Sequence, residues 1–431
     1  MTTETAGEPN GIGPPERFPV KTWLIAFAGW AFDFYDLVLF SFLLIPIGQD
    51  LRLSVSQEAW LLGVALGGSG VGGILFGYLS DLCGRKRVMV WTICLYSLGT
   101  GMTAFATGPG TLLLFRLVTG LGVGGEWAVG HALLAEASPR SMRGRASALL
   151  QAGEPVGVAL AAIVGLLGAP LLGWRGVFLV SSATAAIALV VRRHLPESRL
   201  WTRQRKARLS PVAALRRLAQ ARLLGALGKG WLLGVFKLGT YWTCYTWLPK
   251  FLQNEMGQPV GRSALWIVTA QLGQFLGMMG FGVIADRHGR RAAFTGYSLL
   301  TAAAIYGIAF HWRELLAEPV RFWAVLFAMG LGSGCTAGFG ALLAELFPTD
   351  VRNFAMGTAY NCARGVQLFA PVFVGFFVAR HGLQGGLGVP MVLAMLTATW
   401  VWTLPETRHR DLGAIAGASS PVPVAPDAPP R

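Results

Sequence analysis

The chain has 431 residues, 53% hydrophobic and only 13% charged, with a formal net charge of +15. A soluble surface needs about a quarter of its residues charged, whereas here the apolar residues fall in blocks of about twenty or more, the length that crosses a bilayer as a helix. Intrinsic disorder, a collagen-like fibre and a secreted disulfide scaffold are excluded, and the composition describes a polytopic membrane protein.

Residues 1–20 carry acidic residues and prolines where a signal peptide has a basic and then an apolar stretch, so they read as a short tail. Six apolar spans follow at 22–47, 58–79, 88–107, 111–138, 145–170 and 174–192, making a first unit over 21–192. A basic linker occupies 193–221. Six further spans at 222–252, 262–284, 292–311, 319–347, 354–380 and 384–404 make a second unit over 222–404. The Ala/Pro/Ser-rich remainder, 405–431, reads as a disordered tail. A lone strand leaves its backbone groups unpaired in lipid, so every span is predicted to be a helix, and the fold class is an all-α membrane protein with twelve transmembrane helices. Cys83, Cys94, Cys244, Cys335 and Cys362 are scattered with no C-x-x-C or Cys/His cluster, which predicts neither a disulfide framework nor a metal site.

Segments on the side of the N-terminus carry 25 Lys and Arg, and the opposite loops carry 7. The positive-inside rule places both termini and the 193–221 loop in the cytoplasm. The basic excess is thus a topology signal, and no nucleic-acid partner is expected. Eight ionisable residues fall inside spans: Asp33, Asp36, Arg116, Glu126, Glu154, Lys229, Lys237 and Arg364. Each costs about 3 kcal/mol at the centre of an isolated inserted helix, so each needs a partner, water or a function.

The two units repeat one another. Gly77-Tyr-Leu-Ser-Asp81-Leu-Cys-Gly84-Arg85-Lys-Arg87 recurs 205 residues on as Gly282-Val-Ile-Ala-Asp286-Arg-His-Gly289-Arg290-Arg291. Leu-Leu-Ala-Glu136-x-x-Pro139-x-x-x-Arg143 recurs 209 on at Glu345, Pro348 and Arg352, and Leu195-Pro-Glu-Ser198 recurs at Leu404-Pro-Glu-Thr407. Three matches in order at a nearly constant offset mean two parallel six-helix repeats, as in transporters where one half rocks against the other.

The doubled Gly-x-x-x-Asp-x-x-Gly-Arg-Arg/Lys loop resembles the signature of the major facilitator superfamily, over nearly the whole chain. Within it, Arg116-Leu-Val-Thr-Gly-Leu-Gly-Val-Gly-Gly-Glu126-Trp, then Glu136-x-x-Pro and Arg143-Gly-Arg145, resembles the sialate/lactate:proton and metabolite:proton symporters. Gly29-Trp-Ala-Phe-Asp33-Phe-Tyr-Asp36 is similar to helix 1 of those families and of the aromatic-acid:proton symporters.

Gly77 and Gly282 permit close helix contact, and Gly84 and Gly289 can supply the turns. Asp81, Arg85, Glu136 and Arg143 or Arg145 are expected to form one breakable latch of charge-assisted bonds; Asp286, Arg290, Glu345 and Arg352 are expected to form the other. The resemblance implies that such latches stabilise the outward-facing state. Static salt bridging is the plainer alternative.

Asp33 and Asp36 are three apart, on one face of the first span, about 18 and 22 Å in from Lys21 at 1.5 Å per residue. Two like charges in a low-dielectric setting cannot both ionise cheaply, which suits proton exchange, and the resemblance implies a transport role for these acids. Simple neutralisation of Asp36 by Arg116 is the alternative. Glu126 follows a glycine run inside a span, which allows packing and is no phosphate loop; Glu154 precedes Pro155, whose missing N–H frees a carbonyl. For each Glu, proton shuttling and structural pairing remain open. His131 reads as a polar packing partner. In the second half, Lys237 lies on the seventh span ahead of Tyr241, Trp242, Tyr245 and Trp247, Gln271 and Gln274 on the eighth, and Asn361 and Arg364 on the eleventh. With all four deep acids in the first half, a division of labour is expected: a proton site there, and an anion held by Lys237 and Arg364 in the second half with the amides and tyrosines around it. The alternative is that these cations cancel Asp33 and Asp36 across the cavity.

The expected function is proton-coupled symport of a small organic anion, a monocarboxylate or sugar acid, by alternating access. Its partners would be protons, the substrate and the lipid bilayer of the plasma (inner) membrane, with a monomer as the working unit. A transporter of neutral sugars, aromatic acids or zwitterionic metabolites, or an exporter, is the alternative. No nucleotide-binding motif, nucleophile–base pair or metal cluster is apparent, so neither an enzyme nor a cofactor is expected.

Overall fold

The computed structural model describes residues 18–193, 195–203, 209–254, 260–410 and 412; some helical side chains, those of 184–192, 245–254 and 260–265 among them, lie outside the described residues. Among the described residues there is no strand. The first half consists of α1 (Val20–Leu51), α2 (Val55–Cys83), α3 (Arg85–Thr103), α4 (Pro109–Ala137), α5 (Arg143–Gln151) and α6 (Gly153–Arg192). Two short helices, α7 (Arg199–Arg203) and α8 (Pro211–Leu218), lead to the second half. That half consists of α9 (Ala221–Asn254), α10 (Val260–His288), α11 (Arg290–Phe310), α12 (Trp312–Ala317), α13 (Pro319–Ser333), α14 (Phe339–Leu346), α15 (Arg352–Val366) and α16 (Ala370–Trp400).

The predicted twelve spans map onto these helices once two glycines are taken into account. Gly173 in α6 has φ 66° and Gly382 in α16 has φ 69°, a backbone region that side chains rarely adopt. Each separates two helices, at positions 209 residues apart, so the last two crossings of each half come from one nominal helix. Gly84 and Gly289 take φ 108° and 99° between the second and third, and eighth and ninth, crossings, where the sequence predicts turns. The tenth and eleventh crossings each contain a short 3₁₀ segment, Gly334–Gly338 and Gln367–Phe369, instead of running as single helices.

Eight described segments are both long and apolar enough to span a membrane by themselves. The third, sixth, seventh and eleventh crossings are not among them. The third opens on Arg85-Lys86-Arg87, the seventh carries Lys229 and Lys237, and the eleventh carries Arg352, Asn353, Asn361 and Arg364. A polar crossing is stable in lipid only where its polar groups face protein, and Lys237, Arg352, Asn353, Asn361 and Arg364 are all buried, whereas the third crossing turns Trp91, Cys94 and Leu98 outward.

The halves meet along two seams. In one, α2 lies against α15 with Gly70, Gly73 and Gly77 facing the backbone at Asn361, Gly357 and Asn353. In the other, α10 meets α5, where Gly282 faces Arg145 and Ala148. The largest buried apolar cluster crosses the interface, from Trp30, Phe34 and Trp127 to Leu343, Phe354 and Tyr360. Small residues matter here because lipid provides no hydrophobic drive to hold helices together, and close packing must do so. A Cβ at Gly357 would overlap the carbonyl oxygen of Gly73, whereas one at Gly296 would meet nothing within 4 Å. Gly357→Leu should therefore lower stability by about 1–3 kcal/mol, as overpacking does. Gly296→Ala should leave the midpoint unchanged or raised, and thermal unfolding in detergent followed by intrinsic fluorescence checks both.

Candidate functional site

The end of the bundle that carries Gly84 and Gly289, the basic end, is closed by buried ion pairs that join the halves. Asp81 Oδ1 lies 3.0 Å from Arg85 Nη2, which also reaches Glu136 Oε1 at 3.3 Å and donates to the Thr349 carbonyl at 3.2 Å. Arg352 Nη1 donates to the same Glu136 Oε1 at 2.6 Å, and Ser198 Oγ donates to Glu136 Oε2. Asp81 also accepts the backbone N–H of Phe354 at 2.9 Å and of Asn353 at 3.3 Å. A carboxylate thus sits on the N-terminus of α15, where the helix dipole favours it.

The second half repeats the arrangement. Asp286 accepts from Arg290 at 2.6 Å, Arg290 donates to Glu345 at 3.0 Å, and Thr407 Oγ1 donates to Glu345 at 2.7 Å. Asp286 accepts the N–H of Gly144 at 2.9 Å and of Arg145 at 3.0 Å, the start of α5 in the other half. The sequence grouping needs one correction. Arg352 joins Glu136 of the first half rather than Glu345, and the Arg145 side chain approaches Asp286 at 3.8 Å rather than Glu136. The reason is that Asp81 and Asp286 each cap a helix of the opposite half, α15 and α5, which brings Arg352 and Arg145 respectively to the interface. Arg143 instead bonds the carbonyls of Ala135 and Arg410 at 3.2 and 2.6 Å.

Two further carboxylates hold the turns after α2 and α10. Glu197 accepts from the backbone of Arg85 and Lys86, and Glu406 from that of Arg290 and Arg291. Burial alone would raise the Glu406 carboxyl, but the backbone N–H groups of Arg290, Arg291, Arg408 and Thr407 hold it below the usual carboxylate range. The Leu-Pro-Glu repeat was the signal for this pair, but it fixes no partner.

At mid-depth the halves enclose a second set of polar side chains. Asp33, Asp36, Arg116, Glu126, Glu154, Lys237, Gln274, Asn361 and Arg364 are all buried, none more than 3% exposed. Glu154 bridges the halves: Gln151 Nε2 donates to its Oε2 at 2.9 Å, and Gln274 Nε2 donates to its Oε1 at 3.0 Å from α10. Gln151 Oε1 in turn takes the indole N–H of Trp127 at 3.1 Å and pairs with His131 Nε2 at 3.0 Å. Trp127 stacks on Tyr360 of the second half, ring centroids 3.7 Å apart. Among the described residues, Lys237 Nζ and Arg364 Nη1 and Nη2 are buried without a hydrogen-bond partner. The Arg364 guanidinium lies over the rings of Phe34 and Trp30, at 5.0 and 5.7 Å. Lys237 and Arg364 both act electrostatically on Glu154, and Asp33 acts on Arg364.

Asp33 and Asp36, expected together, have different neighbours. Asp33 faces the second half through Arg364, whereas Asp36 accepts from Thr100 at 3.1 Å inside the first half, within the field of Arg116. Arg116 lies 4.8 Å over the ring of Phe40. Tyr241 is buried, with its hydroxyl 3.5 Å from Gln271 Nε2. Asn361 donates to the Gly124 carbonyl at 2.7 Å and so ties α15 to α4. Lys229, read from the sequence as lying deep in a span, is exposed and donates to the Thr403 carbonyl at 3.0 Å near the basic end. The Tyr245 side chain lies outside the described residues. Gln151, Thr100 and the Trp127–Tyr360 stack are absent from the sequence-derived set, since nothing local marks which helix faces which.

Removal of Arg352 leaves Glu136 with Arg85 and the Ser198 hydroxyl among the described residues. A lost charge-assisted bond of about 1.5–3 kcal/mol corresponds to roughly a ten- to hundredfold shift in opening. Arg352→Met should therefore speed alkylation of Cys362, on the α2–α15 seam, by about tenfold or more while leaving that of the exposed Cys94 unchanged. Peptide mass spectrometry reads both sites.

A family model described as Major Facilitator Superfamily matches residues 24–270 and 260–428. The chain is 34% identical over 428 residues to a Cupriavidus pinatubonensis protein named "Probable 4-methylmuconolactone transporter", covering 97% of each. It is 29% identical to the cis,cis-muconate transport protein of Acinetobacter baylyi, over 86% of this chain and 91% of that one. It is 28% identical to the sialic acid transporter NanX of Escherichia coli, over 88% and 92%. Among solved structures, the proton:xylose symporter XylE bound to 6-bromo-6-deoxy-D-glucose superposes with a TM-score of 0.77 at 18% identity, covering 92% of this chain and 98% of that chain.

Proposed function

The chain belongs to the major facilitator superfamily and is a multi-pass membrane transporter, and from that premise we propose that it carries a small organic anion together with protons by alternating access. The observation that carries this reading is the pair of buried cations. Lys237 Nζ and the two terminal nitrogens of Arg364 are removed from water and have no hydrogen-bond partner among the described residues. Buried donors left in this way are costly unless a ligand completes them, and a carboxylate suits both a guanidinium fork and an ammonium. Relatives named for muconate, methylmuconolactone and sialic acid, all of them acids or acid derivatives, support the same chemistry.

In this reading Asp33, Asp36, Glu126 and Glu154, with Arg116, are the proton-coupling set. Tyr241, Gln271, Gln274 and Asn361 line the site around Lys237 and Arg364. The basic end is the cytoplasmic end, as the positive-inside rule requires, with both termini on that side of the inner membrane. The latches of Asp81, Arg85, Glu136, Arg143, Arg145, Asp286, Arg290, Glu345 and Arg352 then close the cytoplasmic gate, and the substrate enters from the opposite face. One polypeptide contains both halves, so a monomer suffices.

Reconstitution in liposomes with an external pH dye tests this directly. Addition of 4-methylmuconolactone or N-acetylneuraminate should cause external alkalinisation, lost in Asp33→Asn. Movement of neutral sugars with silence across the acids would replace the anion by a neutral substrate. In the same vesicles Lys237→Met and Arg364→Met should each weaken the apparent affinity for the anion by about ten- to a hundredfold, the loss of one charge-assisted bond. Unchanged affinity in both would remove the cations from the site.

A further inference from the structure

The two hydrogen bonds on Glu154 differ in what holds their donors. Gln151 has one orientation, because its Oε1 is occupied by Trp127 and His131 while its Nε2 faces Glu154. Gln274 is not fixed in this way. Its Nε2 donates to Glu154 Oε1, and its own Oε1 is buried without a partner. A half-turn of that amide replaces a donor by an acceptor at the same place. Glu154 is therefore able to be satisfied in both protonation states, as a carboxylate accepting from two amides or as an acid donating to Gln274.

The groups facing Glu154 are Lys237 on α9, Gln274 on α10, and Arg364 and Tyr360 on α15, with the Tyr241 hydroxyl also within its field. Gln151 separates it from His131, and Asp33 acts on Arg364 from α1. Of the four charged groups in this set, two are cations and two are anions. Their charges balance while Glu154 is ionised, and a second carboxylate entering beside Lys237 and Arg364 would be in excess. One proton on Glu154 leaves a single positive charge, which matches one carboxylate.

We propose that Glu154 is the resident anion of the substrate site, and that a proton received on its Oε1, with the Gln274 amide turned to accept it, releases Lys237 and Arg364 to the carboxylate of a monoanionic substrate. Proton and substrate then bind as a pair, in a ratio of one to one. The proton arrives from the aqueous side to which the site is open, and it leaves when the site faces the other side and the carboxylate departs. Because Gln274 belongs to the second half and Glu154 to the first, the same event reverses the polarity of a hydrogen bond between the halves. Monocarboxylates are selected over dicarboxylates, whose second charge meets Asp33. This inference rests on the anion reading given above.

Calorimetric titration of the purified protein tests it, with 4-methylmuconolactone, N-acetylneuraminate and cis,cis-muconate as probes, from pH 5.5 to 8 in buffers of different ionisation enthalpy. The wild-type protein should take up one proton per monocarboxylate bound, with affinity falling about tenfold per pH unit once Glu154 is ionised. Glu154→Gln should bind the same probes without proton uptake and with affinity that is flat with pH. Binding by the wild type with no proton uptake would overturn the assignment, and that measurement needs no variant to fold. Uptake retained in Glu154→Gln would also overturn it while leaving the anion reading intact. Binding of neutral sugars but of none of the three probes would remove both.

Discussion

An ionised group enclosed by membrane helices has no water to fall back on, so it must be matched by an opposite charge, by hydrogen bonds or by a ligand. The fold of this chain follows from where that matching succeeds. At the basic end it succeeds for the acids: each carboxylate of the latches accepts from an arginine and from a backbone N–H or hydroxyl. At mid-depth the hydrogen bonding is incomplete: among the described residues the side-chain nitrogens of Lys237 and Arg116 and the terminal nitrogens of Arg364 have no hydrogen-bond partner.

The repeat explains why the two gate halves look alike, and the departures from it explain why they differ. Equivalent residues perform equivalent local tasks: Gly84 and Gly289 turn the chain, and Glu197 and Glu406 tie down those turns. Across the interface the equivalence fails. Glu136 receives both Arg85 and the incoming Arg352, whereas Glu345 receives Arg290 alone among arginines in the printed bonds of the described residues. The α2–α15 seam is lined by glycines along several turns, while at the α5–α10 seam Gly282 faces Arg145 and Ala148. Two halves joined by unequal seams have a preferred line along which to part, which an exactly symmetric pair would lack.

Aromatic rings complete the central site without adding charge. Phe34 and Trp30 lie under the Arg364 guanidinium, and the Trp127–Tyr360 stack spans the halves beside Gln151. Such rings stabilise a cation while excluding water, so they strengthen whatever electrostatic contact the cation makes next. They also restrain its direction, since a guanidinium held flat on a ring presents its edge to a ligand.

The sequence by itself determined the all-helical class, the twelve crossings, the doubled six-helix repeat and its turn glycines, because apolar length, basic asymmetry and a constant offset are one-dimensional quantities. It also marked the buried ionisable residues as exceptional, since the cost of a charge in lipid is legible from its place in a span. Pairings were a different matter. That Arg352 meets Glu136, that Asp36 turns inward to Thr100 while Asp33 faces Arg364, and that Lys229 lies exposed near the basic end depend on how helices rotate and cross. Gln151, a neutral residue with nothing to distinguish it along the chain, became a junction of the central network only when α4, α5 and α6 were brought together. A span fixes how deep a side chain sits, but only the packing of its neighbours decides which partner it meets there.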